Sequence, residues 1–209
     1  MDALTFFANS RLVPVVVIEQ QEAAVDLAKT LRDAGMAEIE VTLRTADALD
    51  AIETIANSVP DIRVGAGSIR SAEQIKQAQA RGAAFLVSPG SSPGLLQAAA
   101  KAGLPFVPGA ETASEMQQLL DAGYRLQKFF PAEVAGGVAK LRAISAPMPE
   151  LRFFPTGGIT FDNAADYLAL ETVCCVGGSW FVPREALSKR DFAAIATATR
   201  KAVAALGKL

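Results

Sequence analysis

The residue order predicts an α/β fold, a single (β/α)8 TIM barrel with a short N-terminal helix, formed as one domain over residues 1–209. Two observations carry that prediction. Short apolar, β-branched runs alternate with Ala/Leu-rich amphipathic stretches from one end of the chain to the other, the pattern of a parallel sheet covered by helices. The strand-like runs number eight, the closure number of such a barrel. No linker or low-complexity segment breaks the alternation. A doubly wound open sheet is the alternative arrangement of the same units.

The elements follow in order. Asp2–Ala8 reads as a short helix that plugs the bottom of the barrel. The strand-like runs are Leu12–Ile18, Glu38–Leu43, Ile62–Gly65, Ala84–Val87, Pro105–Val107, Arg125–Phe130, Leu151–Pro155 and Val173–Val176. Helical patterns lie between them at Gln21–Ala34, Ala46–Ala56, Ala72–Ala80, Pro93–Ala102, Ala113–Ala122 and Phe161–Leu170. Gly35, Gly82, Gly103 and Gly123 follow four of these helices, where a chain commonly leaves in a left-handed turn. The period is about 20–25 residues, one compact βα unit. After the eighth strand the chain reads as a polar C-terminal segment carrying Lys189, Lys201 and Lys208.

Composition narrows the chemistry. Hydrophobic residues make up 51% and charged residues 20%, yet no apolar run reaches the roughly 20 residues of a membrane span. The apolar surplus belongs to the core, or to the core and a subunit interface. The first residues, Met1 to Phe7, have neither the basic start nor the apolar stretch of a signal peptide. Cys174 and Cys175 are adjacent; neighbours rarely bridge, and free thiols suit the cytoplasm. A net charge of −2 without any basic cluster recommends neither nucleic acid nor a membrane surface as partner. There is no histidine at all. Ser-His-Asp and Cys-His catalysis in their usual form are excluded, as are zinc sites built on imidazole. Acid–base work must fall to Glu, Asp, Lys, Tyr, Cys or water.

Two strands place polar side chains where a barrel interior should be apolar. In Glu38-Ile39-Glu40-Val41-Thr42-Leu43-Arg44, the apolar residues share one face and Glu38, Glu40, Thr42 and Arg44 share the other. An edge strand with a solvated face would look the same, but a closed sheet has no edge. In the sixth strand Leu126, Lys128 and Phe130 share a face. Of eight lysines, Lys128 alone sits inside a strand, next to two phenylalanines and a proline. A lone lysine there could snorkel to water. With Glu40 and Arg44 aimed at the same space, an interior amine is the better reading. Burial disfavours its charged form, and a neutral amine in an apolar pocket is what a Schiff-base enzyme requires.

The seventh strand ends in Thr156-Gly157-Gly158-Ile159 and the eighth in Gly177-Gly178-Ser179-Trp180. Loops after strands seven and eight of such barrels frequently bind phosphate through backbone N–H groups and a helix N-terminus. Gly65-Ala66-Gly67-Ser68-Ile69-Arg70 begins like a dinucleotide fingerprint, but Arg70 stands at the last glycine position. Ser68 is instead a hydrogen-bonding group at a strand end.

Together these residues resemble the family of 2-keto-3-deoxy-6-phosphogluconate aldolases, including the bifunctional 4-hydroxy-2-oxoglutarate aldolases. The likeness runs through Pro14-Val15-Val16, Glu40 to Thr45, Gly65-Ala66-Gly67, Ser88-Pro89-Gly90 and Val107-Pro108-Gly109. It continues through Lys128 to Glu133, Pro155 to Ile159 and Gly177 to Trp180. The resemblance implies a Schiff base on Lys128 and a general acid/base in Glu40. It implies a pyruvyl carboxylate held by Arg44, Ser68 and Thr156, a pocket lined by Pro89 and Phe130, and a phosphate held by Gly157, Gly158, Gly178 and Ser179. It also implies a homotrimer acting on small 2-keto acids and aldehydes, with no cofactor and no metal. Ser68 replaces an expected threonine, and Glu111 adds charge where the family carries less.

Rival readings are the same chemistry on 4-hydroxy-2-oxoglutarate or the galactonate epimer, a phosphosugar isomerase or epimerase, and a phosphometabolite-binding barrel without catalysis. If Glu40 is not the proton carrier, Glu133 and Tyr124 are the next candidates. With no histidine and no carboxylate or thiolate cluster at ligand spacing, activity is expected to survive exhaustive EDTA treatment. Loss of activity that Zn²⁺ or Mn²⁺ restores would replace the amine mechanism with a metal-stabilised enolate.

Overall fold

A computed structural model describes residues 2–207 of the chain. Nine strands run through them: β1 (Leu12–Val16), β2 (Glu38–Thr42), β3 (Arg63–Gly67), β4 (Leu86–Val87), β5 (Phe106–Val107), β6 (Gly109–Ala110), β7 (Leu126–Phe129), β8 (Arg152–Pro155) and β9 (Val176–Gly178). The helices are α1 (Ala3–Phe6), α2 (Ala24–Asp33), α3 (Ala48–Ser58), α4 (Ala72–Ala80), α5 (Pro93–Ala102), α6 (Ala113–Asp121), α7 (Gly137–Ser145), α8 (Ala164–Leu168), α9 (Arg184–Ser188) and α10 (Phe192–Leu206). Six parallel strands curl into a half-barrel in the order β5-β4-β3-β2-β1-β9. Three more, β6-β7-β8, form a second parallel sheet.

Local chemistry explains where the helices begin. Ser71 and Ser92 cap α4 and α5 by accepting from backbone N–H groups three residues on, and Pro93 opens α5. Thr112 and Glu115 form a reciprocal capping box on α6. Gly35, Gly82, Gly103 and Gly123 all take positive φ, between 71° and 99°, as their places after helices require. Ile39 and Val41 of β2 turn outward into the large core shared with Leu27, Leu31, Ile52 and Ile55 of the helices.

Three expectations from the sequence are corrected. The fifth strand is split, because Pro108 has no N–H to continue the ladder: β5 pairs with β4 before it, and β6 with β7 after it. The eighth strand lies further on than its apolar run. Val173 makes only an isolated bridge to Phe153, and the strand proper ends in Gly177 and Gly178, paired with Val13 and Pro14 of β1. Finally, the C-terminal segment is a 15-residue helix, α10, capped by Asp191 and burying Ile195, Thr199 and Ala202. Lys208 lies outside the described residues.

At the N-terminal edge of the strands the interior is closed by aromatic rings. Phe7, fully buried just past α1, lies 5.0 Å from the ring of Phe85 and 5.7 Å from that of Phe154. Val13, Val87, Val107 and Leu126 complete this inner cluster. Glu38 also ends here, in an ion pair with Arg63, whose guanidinium lies 4.3 Å above the Phe6 ring. Phe7→Ala should therefore cost about 3–5 kcal/mol of stability. A denaturant melt checks it, and an unshifted midpoint would show that the ring does not support the core.

Candidate active site

β2 and β7 bring the two unusual strand charges together. Lys128 is 5% exposed, and its Nζ lies 3.6 Å from Oε1 of Glu40 and 5.1 Å from the centre of the Phe130 ring. Glu40 is wholly buried, and neither of its oxygens has a hydrogen-bond partner among the described residues. A buried, unpaired carboxylate is strongly unfavourable, so the neighbouring amine is what makes its position tolerable. Gly67 on β3 supplies the room: a Cβ there would stand 2.0 Å from Glu40 Oε1. The nearest charge to the amine is thus a carboxylate, a group able to accept its proton.

Arg44 leaves the end of β2 into solvent, with Nε 3.4 Å from Ser68 Oγ. Ser68 itself has φ 59°, a left-handed conformation costing roughly 1–2 kcal/mol for a residue with a Cβ. Backbone bonds on either side hold it there, from Leu43 N–H to the Gly67 carbonyl and from Ile69 N–H to the Val87 carbonyl. Thr156 is buried with its hydroxyl unpartnered among the described residues, in space left by the missing side chain of Gly177.

Gly157 and Gly158 follow with φ of 98° and 81°. Side chains there would meet Phe130 and Glu133. Among the described residues, the N–H groups of Gly158 and Ser179 donate to no protein oxygen, while that of Gly157 faces the Gly177 carbonyl in the bridge beside Thr156. The first two are donors left free for an anion. The sequence reading also invoked a helix N-terminus, and this is corrected: α8 and α9 are five-residue helices, and α8 begins only at Ala164. The donors are loop amides.

Ten of the predicted residues line one cavity of about 550 Å³: Arg44, Ser68, Pro89, Lys128, Phe130, Thr156, Gly157, Gly158, Gly178 and Ser179. Glu40 does not open onto it and sits behind Lys128. Gly178, expected in a loop, is the buried last residue of β9. The reserve candidates fall away. Tyr124 lies at the opposite end, its hydroxyl donating to the Leu96 carbonyl and its phenol pushed up by burial. Glu133 accepts from the phenol of Tyr167, which burial and that carboxylate push up together. Glu111 pairs with Lys140 outside the cavity, at 3.2 Å.

Several contributors escaped the sequence. Asn163 Nδ2 donates to the Gly158 carbonyl at 3.1 Å and steadies the glycine pair. Val17 and Glu19 beyond β1, and Arg184 beyond β9, also border the cavity. The helix-capping pattern Thr160-Phe161-Asp162-Asn163 was a local signal for Asn163, whereas nothing local marks Glu19 and Arg184.

A buried amine beside a buried carboxylate, in a parallel α/β sheet and facing a cavity rimmed by free amides, defines a carbonyl enzyme that works through an amine. Comparison with known proteins agrees. The family described as KDPG and KHG aldolase matches residues 5–198. The 2-dehydro-3-deoxy-phosphogluconate aldolase of Dickeya dadantii is 48% identical over 92% of this chain and 91% of its own. The KHG/KDPG aldolase of Escherichia coli is 46% identical over 96% and 94%. A crystal structure of KDPG aldolase from Legionella pneumophila, with pyruvate captured at low pH as a covalent carbinolamine intermediate, superposes with a TM-score of 0.94 at 41% identity. It covers 97% of this chain and 98% of that one. The chain belongs to the KDPG and KHG aldolase family, and it is an enzyme of the aldehyde-lyase class.

The contact between Gly67 and Glu40 yields a specific expectation. Gly67→Ala should push the carboxylate away from Lys128 and lower kcat by about 10²-fold or more, with far-UV circular dichroism unchanged. Wild-type turnover in this variant would show that the placement of Glu40 is not needed.

Proposed function

We propose that the protein is a class I aldolase that cleaves 2-dehydro-3-deoxy-6-phosphogluconate to pyruvate and glyceraldehyde 3-phosphate through a Schiff base on Lys128. One observation carries the reading: the Lys128 amine, at the floor of the cavity, stands 3.6 Å from a wholly buried carboxylate. Lys128 gives its proton to Glu40 and attacks the C2 ketone of the substrate. Arg44 clamps the carboxylate as a bidentate donor, with the hydroxyls of Ser68 and Thr156 beside it. Glu40 returns that proton to the departing hydroxyl, and loss of water gives an iminium, which draws electrons from the C3–C4 bond. Glu40, relayed by a water because it lies behind Lys128, takes the C4 hydroxyl proton as that bond breaks. Glyceraldehyde 3-phosphate leaves, the enamine is reprotonated at C3, and hydrolysis frees pyruvate and the amine. One carboxylate that takes and returns protons suffices, as a chain without histidine demands. The free amides of Gly158 and Ser179, with Gly157 and Gly178 at the cavity wall, receive the phosphate.

The covalent carbinolamine named for the Legionella relative supports the amine chemistry. The double name of the Escherichia coli relative favours 4-hydroxy-2-oxoglutarate as a second substrate. The two sheets work as one closed (β/α)8 barrel and one domain. Supporting this are β5 and β6, a single strand interrupted at Pro108, and the parallel bridge from Thr156 of the second sheet to Gly177 of the first. The assembly is a homotrimer, which would cover surface such as Val134, 88% exposed. The compartment is the cytoplasm, in keeping with two free cysteines and with no described helix long and apolar enough to cross a membrane.

Incubation with pyruvate followed by borohydride should leave one pyruvyl-derived secondary amine per chain, located on Lys128 by mass spectrometry. Surface lysines should stay unlabelled, because exposed amines are protonated near neutral pH. Lys128→Arg should abolish both trapping and turnover. Scattered labelling, or an active Lys128→Arg variant, would sink the reading.

A further inference from the structure

We propose that Arg184 recognises charge at the distal end of the substrate, parting from Glu19 to bind a terminal phosphate. This rests on the aldolase reading and extends it to the other end of the molecule. Among the described residues, three cations line the cavity: Lys128, Arg44 and Arg184. Lys128 serves the carbonyl carbon, and Arg44, against the Ser68 hydroxyl, serves the carboxylate. A phosphate monoester carries close to two negative charges near neutral pH. At Gly158 and Ser179 it meets only amide dipoles, which orient it without neutralising it. Arg184 is the cation that remains.

Its position fits the task. Arg184 stands five residues beyond Ser179 on one loop, turned by a 3.1 Å bond from Val182 N–H to the Ser179 carbonyl. Its planar fork can hold two phosphate oxygens at once. In this structure it pairs instead with Glu19, just past β1, the strand beside β9. The Arg184 side chain is 85% exposed and that of Glu19 49%, so water screens the pair and parting it costs little. An arriving phosphate offers the guanidinium more negative charge than the carboxylate does. A neutral aldehyde offers nothing and leaves the pair closed. Glu19 therefore sharpens the choice, since its charge opposes any anion that fails to engage Arg184.

The test is condensation of pyruvate with glyceraldehyde 3-phosphate and, separately, with glyceraldehyde. For Arg184→Ala, kcat/KM for the phosphorylated aldehyde relative to the neutral one should fall about 10-fold, mainly through KM, and Arg184→Lys should recover part of it. Glu19→Gln should raise the same ratio. An unchanged ratio in Arg184→Ala, whether both aldehydes are unaffected or both decline together, would overturn the proposal. Failure of the wild-type protein to condense pyruvate with either aldehyde would overturn the aldolase reading, and this inference with it.

Discussion

A carboxylate removed from water must be met by a positive charge or by donors, and Glu40 is met by one amine alone. Much of the surrounding structure follows from that constraint. β2 and β7 belong to different sheets, so their side chains meet only because the two sheets face one interior. β3 must pass close by without a side chain, and Gly67 does so. The Phe130 ring, 5.1 Å from the amine, gives it an apolar wall on one side. Loosening any of these would let the two charges separate into solvent, and both would lose the environment that makes them reactive.

The site divides by charge along its depth. At the floor, one amine and one wholly buried carboxylate stand 3.6 Å apart. At mid-height Arg44, Ser68 and Thr156 present a cation and two hydroxyls, a set suited to a planar carboxylate. At the rim the donors are backbone amides, whose dipoles are fixed by β8, β9 and the bracing of Asn163. The strained φ of Ser68 belongs to the middle layer. There a hydroxyl is held in place by backbone bonds on both sides rather than by its own preference.

Legibility in the sequence followed range. The helix limits Ala72–Ala80 and Pro93–Ala102 were readable to the residue, because Ser71, Ser92 and Pro93 state them within one turn. Lys128 and Glu40 stood out because charge inside an apolar strand has no ordinary explanation. The last strand was misplaced because its pairing residues are glycines, which carry no periodic signal, while Cys174 and Cys175 mimicked a strand. α10 was missed because its buried face carries a single large apolar residue, Ile195, beside Thr199 and Ala202. Glu19 and Arg184 lie 165 residues apart. Neither is unusual where it stands, and only the closeness of β1 and β9 gives them meaning.

The aromatic seal at Phe7 has a consequence for the order of events. With one end of the interior filled by rings, the cavity that Lys128 lines opens away from that end. If the Schiff base forms on Lys128 as proposed, the keto acid must pass the places later occupied by the aldehyde, and it cannot leave while the aldehyde remains. In cleavage the aldehyde departs first and the keto acid last; in synthesis the keto acid enters first. Water for hydrolysis uses the same passage, and it reaches the imine only after the aldehyde has gone. The queue is a matter of plumbing: a stopper at one end of the interior times the chemistry at the other.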